Sequence, residues 1–345
     1  MPRLFLTFLL GVFSVVAVGQ APSSPVEYMQ FLTDREQELS KKYLSYMSEV
    51  AHGSRARKME KRRQELTSEI RQSLSDATRL SPYKGDASLR DVYKRYWDIL
   101  LKVFNEDYHK IVDMEEIAEQ SYDNMEAYLL AQAKAGEVLN QESAKIAPVY
   151  RAFAEKNNVR LIENGDTKME RKLRQVGRVN TYYHDIFLIF FKNYKQEIYV
   201  FDAYGNKDIN GLEQNRNTLL KYSEQGLQSL DTMKAFDGDR SLIVACRRVL
   251  EFHKDEANNH VPGLSDFLMK SDEFNKQKKA YDAKPAAKRT QADVDAYNQA
   301  VTAMNSAIAS SNKTAMDCNG ARAKVLDSWE AAKKKFMESH VPKGK

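Results

Sequence analysis

Cysteine is nearly absent, with Cys246 and Cys318 alone in 345 residues. Two thiols cannot make a disulfide-stapled scaffold, so burial of apolar surface must hold the fold together. Glycine (14) and proline (8) are scarce as well, and no run of residues alternates apolar and polar between turn signals. These two absences exclude a sheet protein rich in tight turns. Beyond the N-terminus no apolar run approaches the roughly 20 residues that a membrane-spanning helix needs. Charge of one sign is missing too. Lys and Arg number 53 against 48 Asp and Glu, a balance of +5 that describes solvated helix faces and argues against a nucleic-acid partner. There is no G-x-S-x-G, H-E-x-x-H, C-x-x-C-H or phosphate-cradling glycine loop, so no cofactor and no nucleophilic chemistry are implied.

Helix formers are plentiful, and they predict an all-α protein. The chain opens Met1-Pro2-Arg3, continues apolar from Leu4 to Val18 and leaves through Ala17-Val18-Gly19. One early cation, a short apolar stretch and a small-residue exit read as a secretory signal peptide over 1–19, with Gln20 as the mature N-terminus. The expected address is therefore the periplasm, the cell surface or the medium. No cysteine stands near the exit to carry a lipid. The remaining 326 residues exceed what one core usually organises, so two units are expected. In an oxidising compartment Cys246 and Cys318 either bridge or stay buried as small hydrophobes.

The stretch from Val179 to Asp202 organises this reading, because Ile186 to Phe191 is apolar in every direction of a helix. Such a helix is expected to be buried on all sides. Elsewhere the spacing predicts amphipathic helices. One begins at Ser24-Pro25, one runs from about Arg55 to Leu80, one starts behind Asp86, and one covers about Ser143 to Lys156, with Pro148 as a kink or a first turn.

The programme then restarts. Gly85-Asp86-Ala87-Ser88-Leu89 returns as Gly238-Asp239-Arg240-Ser241-Leu242, an offset of 153. At that offset positions 60 to 95 share ten identities with their counterparts, where average residue usage gives roughly two. We read an internal duplication: a first helical bundle over 20–165, a second over 166–312, and a C-terminal capping helix and tail over 313–345, the helix from about Ala315 to Ser339.

Three local features point to chemistry. Arg57, Lys61 and Arg62 share one side of the second helix near its start, where the macrodipole disfavours cations; they are candidates for an anionic partner, or a solvated face paired with nearby glutamates. Glu106 and His109 form the E-x-x-H by which helical bundles present ligands to iron or manganese, but the second half offers Asn259 in place of Glu106. His253 and His260, with Glu251, Asp255 and Glu256, make a weaker cluster of the same kind.

Ala51-His52-Gly53-Ser54-Arg55-Ala56-Arg57-Lys58 resembles a run found in a family of uncharacterised all-helical bacterial surface proteins. The likeness covers the first two helices and the general layout. It implies a surface or periplasmic location and carries over no catalytic residue. The expectation is a non-enzymatic binding or structural protein, its partner an envelope component or another protein. Its rivals are a metal-binding bundle built on Glu106 and His109 and a peripheral binder of anionic lipid through the basic stretch.

Overall fold

The computed structural model describes residues 22–51, 56–107, 118–162 and 167–343. The proposed signal peptide, His52 to Arg55 of the Ala51–Lys58 run and His109 lie outside them, as does the side chain of Glu106. All regular structure among the described residues is helical. The order is α1 (Pro25–Ala51), α2 (Ala56–Arg79), α3 (Ser88–Lys102), α4 (Tyr122–Ala144), α5 (Ile146–Lys156), α6 (Lys168–Gly205), α7 (Ile209–Thr232), α8 (Ser241–Asp255), α9 (Val261–Ala283) and α10 (Gln291–His340). Turns of π-helix, Val103–Asp107 and Glu256–His260, follow α3 and α8.

The helix starts follow from side-chain chemistry. Ser24 Oγ accepts the Glu27 amide at 3.1 Å while the Glu27 carboxylate accepts the Ser23 amide at 2.8 Å, a reciprocal cap. Asp208 accepts the Gly211 amide at 2.9 Å at the head of α7. Pro148 falls in the first turn of α5, where its missing N–H leaves no intrahelical bond unmade.

Several structural details recur 153 residues apart. The bounds of α2 and α7 do so at both ends, as do those of α3 and α8 and of the two π turns. Before α3, Tyr83 and Asp86 exchange backbone hydrogen bonds across Lys84 and Gly85, both at positive φ; before α8, Phe236 and Asp239 do so across Asp237 and Gly238. Glycine stands second in each turn because a left-handed backbone there carries no Cβ penalty. Arg63 is held by Glu60 and donates to the Phe104 carbonyl at 3.1 Å, and Arg216 is held by Glu213 and donates to the Ala257 carbonyl at 3.4 Å. A π turn frees carbonyls from the α ladder, and each arginine supplies one of them with a donor.

The chain divides into two compact units, residues up to His184 with those from Lys334 onward, and residues Asp185–Lys333. The divisions fall inside α6 and α10 and not at the loop near 165 or at position 312, because both helices are continuous and contribute to each unit. The first unit's core is built on Tyr28, Leu32, Leu66, Leu89, Trp97 and Phe153. The second contains a cluster of Val200, Leu212, Leu219, Ala257, Val261 and Leu264, and beyond it Trp329 stacks on Phe190 at 4.5 Å.

Two expectations are corrected. Of the apolar run in α6, Ile186, Phe190 and Phe191 are buried, but Phe187, Leu188 and Ile189 are covered only in part. The helix also buries polar Asn193, whose amide donates to the Ile189 carbonyl and accepts the Ser223 hydroxyl. The last helix begins at Gln291, not near Ala315. Val294, Tyr297, Val301 and Met304 recur at spacings of three and four, a half-buried seam that starts the helix ahead of its Ser- and Asn-rich stretch. Among the described residues no helix is long and apolar enough to cross a membrane.

Candidate functional site

The second unit gathers five polar side chains in its interior. Glu197 comes from α6, His253 from the last turn of α8, Glu256 from the first position of the π turn, and Cys318 and Arg322 from successive turns of α10. Glu197, His253 and Glu256 are buried, and Arg322 keeps about a fifth of its side chain in water (18 %). The guanidinium joins the two carboxyls: Nε donates to Glu197 Oε1 at 2.5 Å and Nη2 to Glu256 Oε1. Its plane lies 4.5 Å from the Phe201 ring, so an aromatic face covers the charge that the carboxylates neutralise. The Cys318 thiol donates to Glu256 Oε1 at 2.9 Å. His253 Nε2 stands 3.4 Å from Glu197 at ion-pair range without a formed hydrogen bond, and neither its Nδ1 nor Glu256 Oε2 has a hydrogen-bond partner.

Burial and the nearby Glu197 charge push Glu256 up to about 8. Burial pushes Glu197 the same way, but His253 and Arg322 together outweigh it and hold that carboxyl down at about 2. Near neutral pH the pair therefore carries one proton and one negative charge beside one guanidinium. Carboxyls driven apart in this way are what acid–base catalysis uses, but here both are sealed in the protein interior. Among the described residues no group of three or more His, Cys, Asp or Glu is placed to hold a metal ion.

The same positions 153 residues earlier hold Leu44, Leu100 and Val103, of which both leucines are buried. The second unit thus has charge where the first has an apolar core. Sequence reasoning placed His253 and Glu256 in one weak cluster, named Cys318 apart from them, and missed Glu197 and Arg322. A signal was present, since Arg322 interrupts the helical stripe of Cys318, Val325 and Trp329.

The other candidates are dispersed. Cys246 and Cys318 are free buried thiols. Cys246 faces the Ile186 carbonyl at 4.0 Å and Cys318 is committed to Glu256, so no bridge joins them. His260 stands by Asp255 at 3.3 Å, and Glu251 is exposed. Arg57 and Lys61 are exposed, whereas Arg62 is half-buried and paired with Glu65 at 2.7 Å and Glu49 at 3.7 Å. The basic stretch is therefore interleaved with acid, and Lys58 likewise meets Glu49 at 2.8 Å. Comparison with protein-family models, with curated proteins and with solved structures yields no match to this chain.

Proposed function

We propose that this is an exported, non-enzymatic helical protein with a binding or structural role at the cell surface or in the periplasm, built by tandem duplication of a helical bundle. The signal-peptide pattern over 1–19 and the likeness of Ala51–Lys58 to bacterial surface proteins support the address. The recurrence of helix bounds, turn and arginine contact at one offset supports the duplication.

The observation that carries the binding role is an exposed arm of the second unit. The outer part of α9 and the first half of α10 run antiparallel, with Tyr281 stacked on Tyr297 at 4.4 Å. Lys284 pairs with Asp293 at 2.5 Å, and the Arg289 guanidinium lies 4.3 Å from the Tyr281 ring, so the tip is fixed. From Met269 to Asp317 nearly every side chain outside the seam is exposed, giving an arm of about 20 Å along α9 and about 40 Å along α10 at 1.5 Å per residue. A fixed helical arm presents a large surface to a macromolecule at little entropic cost.

In cells that produce the full chain, the mature protein should begin at Gln20 in the exported fraction. A photoreactive residue in place of Lys288 at the arm tip should give a discrete cross-linked species in the envelope. A chain that keeps Met1 in the cytoplasm overturns the address, and tip positions that yield no adduct overturn the binding role.

The exposure of Arg57 and Lys61, one helical turn apart, favours a second reading, contact with anionic lipid. Changing Arg57, Lys61 and Arg62 together to Gln should leave the melting temperature nearly unchanged, because exposed charges contribute only ~0–1 kcal/mol each. Binding to anionic vesicles should fall, most of all at low salt. Equal binding by both proteins reduces the stretch to a solvated face. Metal analysis of the purified chain tests the Glu106 and His109 alternative.

A further inference from the structure

We propose that Glu197 and Glu256 hold a single proton between them and, through Arg322, form a latch that fastens α10 to the second unit and lets go of that stretch of helix when the proton leaves. The geometry carries this. One guanidinium spans two buried carboxyls from different elements, and both latch donors, Arg322 and Cys318, belong to α10. With one proton aboard, Glu197 and Arg322 balance. Without it, a second buried negative charge faces the first, and Glu256 Oε2 has no donor to meet it.

The groups around the pair are few. From α8, His253 faces Glu197; from α7, Arg216 is turned to the Ala257 carbonyl and Glu213 to the Ser265 hydroxyl; from α10 come Arg322, Cys318 and the neutral Asn319. Arg216 is already engaged with Glu213 at 2.8 Å and is not free to take over the new charge. The release is local. Seven residues beyond Arg322, Trp329 is buried against Phe190, an apolar anchor that no proton affects. Opening is therefore confined to the turns around Cys318 and Arg322.

The sign follows from the direction of the Glu256 shift. A carboxyl whose folded value is raised to about 8 adds stability below its unfolded value and loses it as the pH rises through about 8. The latch is fully held below pH 4.5, weakens as the pH rises through neutrality, and has lost the whole of this contribution above about 8.

Cys318 is a built-in reporter, because its thiol is buried by the latch. In the full chain carrying Cys246→Ala, labelling by an aromatic disulfide reagent is measured from pH 6 to pH 9.5. Each rate is divided by that of the urea-unfolded chain at the same pH, which cancels the ionisation of the thiol. The ratio should climb by up to about tenfold per pH unit from pH 6 to about pH 8, where the closed form still keeps the proton that the open form has lost, and level off above it. With Glu256→Gln added it should stay flat, and Cys246 in a Cys318→Ala chain should show no rise, which separates latch opening from global unfolding. A flat wild-type ratio, or an equal rise in the Gln variant, overturns the proposal. If the Gln variant does not fold, amide exchange of residues 316–324 in the wild type, corrected for intrinsic rate, decides between the same two outcomes.

Discussion

Replacing Arg322 with Met should destabilise the second unit by ~3–5 kcal/mol, the usual consequence of removing one partner from a buried ion pair. Methionine keeps apolar contact with Phe201 but leaves two sealed carboxyls without their shared cation. The cost is mainly that of the abandoned charges, so it should depend on pH. Without the guanidinium both folded carboxyls take up protons more readily. Raised folded values add stability in acid and lose it as the pH climbs, so the deficit should be largest near pH 8 and smaller near pH 5. Urea titrations followed by Trp329 fluorescence measure it, with Trp97→Phe as the common background. A variant within 1 kcal/mol of its parent at pH 8 would show that the network contributes little.

A companion variant removes the charges altogether. Glu197→Leu, His253→Leu and Glu256→Val reproduce the residues of the first unit at positions 44, 100 and 103. Combined with Arg322→Met, they should recover the loss and even exceed wild-type stability by ~1–4 kcal/mol, because apolar packing often matches or outdoes a buried ion pair. If stability is regained while the pH-dependent release at Cys318 disappears, the charged network serves regulation rather than folding.

These variants depend on features of unequal visibility in the sequence. The helices were legible because 3.6-residue periodicity and capping residues write them locally: Ser24 with Glu27, Asp208 with Gly211, and the turns at Gly85 and Gly238. The 153-residue recurrence was legible for the same reason, since helix bounds and turns depend on near neighbours. The start of α10 was missed because its seam, from Val294 to Met304, is thin and needs the facing α9 to complete it. The interior of the second unit was the least visible part. Glu197 and Arg322 are 125 positions apart in sequence, and each alone looks like an ordinary solvated charge. Besides the break that Arg322 makes in the stripe of Cys318, Val325 and Trp329, the change from Leu44 to Glu197 and from Leu100 to His253 between the halves marks them, because a buried apolar position that turns polar needs a partner from elsewhere in the fold.

Glu36 shows the same principle in the first unit, with the opposite outcome for stability. Its carboxyl is buried in an aromatic core, where Trp97 Nε1 donates to Oε2 at 2.8 Å and, among the described residues, no guanidinium or ammonium pairs with it. Burial pushes the group up to about 7, and the indole hydrogen bond only partly offsets this. The folded unit therefore prefers the neutral acid. Its contribution is complete below the unfolded value of 4.5 and is lost as the pH rises through about 7. A shift of that size costs the wild type about 3 kcal/mol between mild acid and pH 8, at about 1.4 kcal/mol per pH unit. Glu36→Gln keeps a carbonyl oxygen for the Trp97 donor and cannot ionise. The variant should match the wild type near pH 4 and exceed its stability by about 3 kcal/mol at pH 8. Trp97 itself is the probe: with Trp329→Phe in both chains it is the sole tryptophan, and its emission follows unfolding of the first unit alone. A Gln variant no more stable than its parent at pH 8 would mean that Glu36 finds compensation for its charge, and the first unit would then owe none of its pH response to this residue.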